Sequence, residues 1–100
     1  MKRYRLSPLV EADLEQIWYY TFETWSPLQA DRYIDDIFDA LELLGDNPRM
    51  GPTVSGIVSQ YRRYRVGHHL VFYQPGKLEG VEVIRILHEK SDVLRHLRFD

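Results

Sequence analysis

Six arginines stand where they could do chemistry. Arg62, Arg63 and Arg65 fall within four residues, interleaved with Tyr61 and Tyr64. Guanidinium groups beside tyrosine rings suit phosphate clamping and base stacking. In a strand, Tyr61, Arg63 and Arg65 share one face. Arg85 sits among Val83, Ile84, Ile86 and Leu87, so it is expected to be partly buried. A buried guanidinium needs a carboxylate or backbone carbonyls as partner. Arg95 and Arg98 lie close to the C-terminus. A second reading stays open: strand arginines often pair with acids, and Asp31, Asp35, Asp36, Asp39 and Glu42 supply several.

The other reactive side chains say less. His88 closes an apolar run and has the chemistry of a general acid or base, or of a structural histidine bonded to the backbone. His68 and His69 are adjacent, so in a strand they point to opposite faces and form no joint site. The acids of residues 31–42 belong to the solvent side of an amphipathic helix, with no second acidic cluster opposite, and no metal site is expected from them. No glycine-rich phosphate loop, serine–histidine–acid set or hydrolytic carboxylate pair is recognisable, and no cofactor is expected. The absence of cysteine excludes disulfides, thiolate zinc sites, iron–sulfur clusters and cysteine nucleophiles.

These residues must be positioned by a short list of elements. Lys2-Arg3-Tyr4-Arg5-Leu6 alternates as a strand and stops at Ser7-Pro8, a cap followed by a proline at the first helical position. Val10, Leu14, Ile17, Trp18, Thr21 and Trp25 then recur at three and four, predicting a helix, with Glu11, Asp13 and Glu15 near its positive end. Ser26-Pro27 repeats the signal. Ala30, Tyr33, Ile34, Ile37, Phe38, Leu41 and Leu44 form a second stripe, with Gly45 expected just past the helix end. Two helices joined so tightly make an antiparallel hairpin. After a loop over residues 48–60, three strands follow at residues 61–66, 69–74 and 81–88, linked by short turns into a meander. Ser91-Asp92 caps a short helix reaching Leu97. The expected class is α+β: an N-terminal strand and an α-helical hairpin packed on a small antiparallel sheet, with a short C-terminal helix. The second sheet face must be solvated, covered by the C-terminal segment, or occupied by a partner.

The 100 residues make one domain. No apolar run approaches the ~20 residues of a membrane helix, and no signal peptide is recognisable, so a cytoplasmic protein is expected. The net charge of −2 argues against a general nucleic-acid binder. It hides an asymmetry. Residues 6–48 hold ten acids and one base, whereas residues 49–100 hold nine bases and five acids. Such separation suggests two faces with different partners, or merely solvated helix faces. The hairpin also carries Tyr19, Tyr20, Phe22, Leu28 and Leu43 beside or off its core stripes. They form an exposed patch for a segment that folds on binding, or they pack beneath the 48–60 loop. A basic segment would complement the acidic hairpin.

One further pattern is specific by its order. Tyr4-Arg5-Leu6-Ser7-Pro8-Leu9-Val10-Glu11-Ala12-Asp13-Leu14 runs into Ile17-Trp18-Tyr19-Tyr20, then Asn47-Pro48-Arg49-Met50-Gly51, Tyr64-Arg65-Val66-Gly67, Leu70-Val71-Phe72-Tyr73 and Arg85-Ile86-Leu87-His88. Over essentially the whole chain this series resembles the ParE toxins of the RelE/ParE superfamily. The resemblance implies the toxin of a bacterial type II toxin–antitoxin pair that acts on DNA gyrase and is held in a hetero-oligomer by a ParD-like antitoxin. On that reading Arg63, Arg65, Arg85, Arg95 and Arg98 are the candidate gyrase contacts, His88 and residues 94–100 shape the surface, and Tyr19, Tyr20, Phe22, Leu28 and Leu43 are candidates for the antitoxin. Deletion after Lys90 should then abolish growth inhibition and spare antitoxin binding. The mRNA-cleaving relatives share the fold, and fold does not settle function. An RNase reading would use Arg65 and Arg85 as clamps and His88 as acid or base. His88 is followed by Glu89-Lys90-Ser91-Asp92, and no tyrosine occurs after Tyr73, so one proton-transfer role lacks an owner. An inactive, antitoxin-binding remnant is the third reading.

Overall fold

A computed structural model describes residues 3–55, 60–77 and 79–97. The chain runs β1 (Tyr4–Leu6), α1 (Pro8–Thr24), α2 (Pro27–Asp46), β2 (Arg62–Val66), β3 (His69–Pro75), β4 (Val81–His88) and α3 (Val93–His96). The sheet order is β1-β4-β3-β2. The last three strands form the antiparallel meander. β1 instead joins β4 in parallel, Tyr4 opposite Val81 and Leu6 opposite Val83, which makes the sheet mixed rather than wholly antiparallel. Parallel neighbours need a long crossover, and here everything from α1 to the β3–β4 turn supplies it.

Each face of the sheet has its own core. The hairpin side buries Tyr4, Val10, Ile17, Ile37, Leu41, Leu44, Val71, Tyr73, Val81, Val83 and Ile86. The opposite side buries Tyr61, Leu70, Phe72, Ile84, Leu87 and Leu97, with Val54 and Val93 against them. The C-terminal segment therefore covers the second face. A register shift between Phe72 and Tyr73 places one extra residue in β4. Strict alternation would group Arg85 with Val81 and Val83; the bulge puts Ile86 there instead and re-aims the end of the strand.

Three local expectations change, and one cap holds. Ser7 occupies the N-cap of α1 without a side-chain cap bond. Its hydroxyl donates to the Ile84 carbonyl at 2.8 Å, and its N–H to the Val83 carbonyl at 2.9 Å, extending the β1–β4 ladder by a side chain. Ser26 does cap α2, accepting from the Gln29 N–H at 3.1 Å. Gly45 lies inside α2 and not beyond it, since the helix runs to Asp46 with Asn47 as C-cap. A Cβ at Gly45 would stand 2.7 Å from the Arg3 carbonyl oxygen, so the glycine permits the close pass of the chain entering β1. Trp25 leaves the stripe because α1 ends at Thr24, and its side chain is exposed in the turn. No helix among the described residues is long and apolar enough to cross a membrane.

Candidate functional site

The end of β4 is where the chemistry-bearing residues collect. Asp13 falls three residues after Val10 and four before Ile17, on the buried stripe of α1. Its carboxylate accepts from Arg85 Nε and Nη2, each at 2.8 Å, and from the Ile86 N–H at 3.0 Å. β1 pairs with β4 only as far as Val83. Beyond it the Ser7 hydroxyl takes the Ile84 carbonyl and Asp13 takes the Ile86 N–H, so side chains finish the ladder where backbone stops. The bidentate pair leaves Arg85 15% and Asp13 8% exposed. The Asp13 hydrogen bonds raise the Arg85 pKa above its ordinary value against the opposing effect of burial.

A second group closes the β2–β3 turn against the chain leaving β4. Gly67 adopts φ +57°, and a Cβ there would meet the Tyr33 ring at 2.8 Å. Glu89 sits past β4, where its N–H donates to the His68 carbonyl at 2.8 Å. Its carboxylate binds Arg65 Nη1 and lies 2.6 Å from His68 Nδ1. Hydrogen bonds from Arg65 first and His68 second hold the Glu89 carboxyl down at about 2.

The histidines are not scattered. His69 pairs with His88 across β3 and β4, their rings 5.2 Å apart and edge to face. The His68 ring lies 6.3 Å from His88. The Tyr33 hydroxyl donates its one proton to the Val66 carbonyl at 2.9 Å and stands 2.6 Å from His69 Nδ1. His69 Nδ1 must therefore carry the hydrogen of that contact. Burial, and then the charges possible on His88 and His68, lower the His69 pKa to about 4, so the ring is neutral at pH 7. His88 Nδ1 accepts from the Lys90 N–H at 3.1 Å. Neutral His88 thus carries its proton on Nε2. A cleft of about 440 Å³ opens beside these rings, lined by α1, the start of β3, the end of β4 and α3.

The structure sorts the arginines the sequence had grouped. Arg63 is exposed, with its N–H on the Pro52 carbonyl. Arg65 holds Glu89 and Arg85 holds Asp13. Both acids lie outside α2, the helix expected to supply such partners. Arg62 donates to the Gly51 carbonyl at 2.6 Å and bonds no acid among the described residues. Arg95 is exposed in α3. Arg98 lies outside the described residues. Sequence reasoning missed Asp13 as a partner, Glu89, and His69. Asp13 left a signal, an acid on an apolar stripe. His69 left one in the strand register, since a hairpin closed at Pro75 and Val81 with one bulge brings His69 opposite His88.

The five hairpin candidates are all exposed, so none is hidden beneath the loop. They do not form one patch. Tyr19 and Phe22 join Trp18 in an aromatic cluster, Trp18 and Phe22 stacked at 5.2 Å and Tyr19 edge-on to both. The Trp18 Nε1–H donates to Asp31 at 2.9 Å, tying the cluster to α2. Tyr20 turns instead to the cleft with Asp13, Gln16 and Ile17. Leu28 opens α2, and Leu43 lies fifteen residues on, about 22 Å along the helix.

Comparison with known proteins agrees with this architecture. The family model described as "ParE toxin of type II toxin-antitoxin system, parDE" matches residues 4–93. The chain is 37% identical over 95 residues to Toxin ParE1 of Mycobacterium tuberculosis, covering 95% of this chain and 97% of that one. It is 38% identical over 97 residues to Toxin ParE1 of Caulobacter vibrioides, covering 97% and 99%. A solved structure described as the chromosomal ParDE TA system from P. aeruginosa superposes with a TM-score of 0.73 at 18% identity, over 88% of this chain and 96% of that one.

Proposed function

Since the chain belongs to the family of ParE toxins of type II toxin–antitoxin systems, we propose that it arrests growth by inhibiting DNA gyrase and is neutralised by a ParD-like antitoxin. The observation that carries the reading is the near full-length match to ParE toxins, over 95% of this chain for one relative and 97% for the other. The side chains support an interaction protein. The RNase alternative asks Arg65 and Arg85 to clamp phosphate, and each already holds a carboxylate. Arg63 and Arg95, exposed and bound to no acid among the described residues, are the better contacts for an acidic or nucleic-acid surface.

Exposed apolar side chains toward both ends of the hairpin suit the antitoxin: Tyr19 and Phe22, clustered with Trp18, and Leu28 toward the turn, and Leu9 and Leu43 toward the other end. A folding segment laid along the hairpin would reach both, and basic residues in it would meet the acidic side of α2. Tyr19→Ser with Phe22→Ser should weaken antitoxin binding at least about tenfold, read by calorimetry; unchanged affinity would move the antitoxin elsewhere.

Gyrase supercoiling of plasmid, with trapped cleaved DNA as second readout, tests the target. The chain should inhibit, the antitoxin should relieve it, and Arg63→Ala with Arg95→Ala should lose inhibition while keeping antitoxin binding. Active gyrase untouched by a folded chain would overturn the proposal. Point variants are the right instrument, because deletion after Lys90 removes Leu97, which is 2% exposed in the second core.

A further inference from the structure

Residues 47–78 contain Arg49, Arg62, Arg63, Arg65 and Lys77 and not one aspartate or glutamate. The acids that flank this stretch, Asp46 and Glu79, both engage Arg3. Arg65 reaches out of it to Glu89. Arg49 and Arg62 meet no acid among the described residues, and both line a cavity of about 480 Å³. It lies between the loop of residues 48–54, the start of β2 and the end of β3, and its described lining falls wholly within the acid-free stretch.

Arg62 is held from behind. Its Nη1 donates to the Gly51 carbonyl at 2.6 Å and to the Arg49 carbonyl at 3.4 Å. These bonds orient the guanidinium and leave its Nε–Nη2 edge unused among the described residues. Arg85 takes the Asp13 carboxylate through that same edge, and the spacing matches the two oxygens of a carboxylate. The exposed Arg49 adds a second positive charge. The backbone N–H groups that could cradle a phosphate are already spent: Gly51 on the Tyr73 hydroxyl, Val54 on the Tyr61 carbonyl, and Arg63 on the Pro52 carbonyl. Tyr61 is the one aromatic residue of the lining and is only 8% exposed, so it offers little face to a base. Pro48, Val54 and Pro75 make the remaining walls apolar. We propose that this cavity takes a side-chain carboxylate from an acidic segment of a partner protein, with the Nε–Nη2 edge of Arg62 holding its two oxygens, Arg49 adding charge, and an apolar residue of the segment lying against Pro48, Val54 and Pro75. The site does not depend on gyrase being the target.

The test titrates the full chain with a capped hexapeptide of alternating leucine and glutamate, following backbone amide and arginine Nε–H resonances. The peptide should saturate one site, move the Arg62 Nε–H signal together with the Arg49 and Thr53 amides, and bind more weakly as salt is raised. Its glutamine counterpart should not bind. Arg49→Ala should weaken the acidic peptide about tenfold, and Arg62→Lys, which keeps the charge and loses the fork, by at least as much. Lys77→Ala, a cation of the same stretch outside the cavity, should change nothing. Arg62 also holds the loop through Gly51, so Arg49→Ala decides the matter if Arg62→Lys fails to fold. Inorganic phosphate and a single-stranded oligonucleotide are the competing anions, and neither should displace the peptide. Tighter binding of either at the same resonances would overturn the proposal. So would equal binding of the glutamine peptide, no saturable binding of the acidic one, or indifference to Arg49→Ala.

Discussion

Two arginine–carboxylate pairs fasten strands of the sheet, and the same chemistry does different work in each. Asp13 and Arg85 are 8% and 15% exposed, joined by two parallel bonds, with a backbone N–H as third ligand. Glu89 and Arg65 are 24% and 56% exposed, and the carboxylate is shared with His68, itself 79% exposed. The first pair ties α1 to the edge of β4, where little of either side chain meets solvent. The second closes a turn in solvent, where side-chain entropy and screening offset most of the attraction. Environment therefore separates a fastener of the fold from a clasp on its surface.

The largest effect should come from breaking the buried pair. Asp13→Ala leaves the Arg85 charge and the Ile86 N–H without partners, and should cost about 3–5 kcal/mol. Denaturant unfolding with unchanged slope is the measurement. Asp13→Leu combined with Arg85→Met sharpens the point. Apolar replacement of both ions often restores stability, but the Ile86 N–H would stay unpaired, so recovery should fall short by about 1–3 kcal/mol. Full recovery would mean that the third bond contributes nothing.

Leu97→Ala comes next. It removes the side chain that α3 places over Phe72 and Leu87, and a buried leucine truncated in this way costs about 2–5 kcal/mol. Growth inhibition should fall with stability here, whereas Arg95→Ala should lower inhibition at constant stability. That contrast separates a tail that touches gyrase from a tail that only covers the sheet.

These two sites also mark the limit of what was legible in the chain. The helices, the meander and the terminal helix follow from cap-proline pairs and from apolar periods, which are local signals. Arg85 is readable as a buried cation in want of a carboxylate. Its partner is seventy-two residues away in sequence, and local pattern does not measure that distance. The parallel seat of β1 is hidden for the same reason. The bulge in β4 is a non-local event too, and without it His69 and His88 do not face each other. Tyr19 and Tyr20 look alike in sequence, yet one residue of helical rotation sends one to an aromatic cluster and the other to the cleft.

Acid should act on His69 before it acts on the Glu89 clasp. His69 has its pKa lowered from 6.5 to about 4 by burial, so the unfolded chain binds that proton more readily than the folded one. Its contribution is fully present above pH 6.5 and is lost as pH falls from 6.5 to 4. Glu89, held at about 2, contributes above pH 4.5 and loses that contribution between 4.5 and 2. Stability by thermal unfolding should decline in two stages, the upper one absent in a His69→Gln variant. A decline that begins only below pH 4.5 in the parent chain would show that His69 charges without penalty.

The smallest effect should come from Glu89→Gln. The amide keeps the shape and can still meet Arg65 or His68, but it gives up the charge that draws both. In solvent such a pair contributes little, and the change in melting temperature should be slight and should vanish as salt is raised. The acid profile is the second readout: the decline between pH 4.5 and 2 should shrink slightly, while the His69 stage remains. If Glu89→Gln instead destabilised the chain as much as Asp13→Ala, the turn at Gly67 would be a fastener of the fold, and exposure would no longer separate the two pairs.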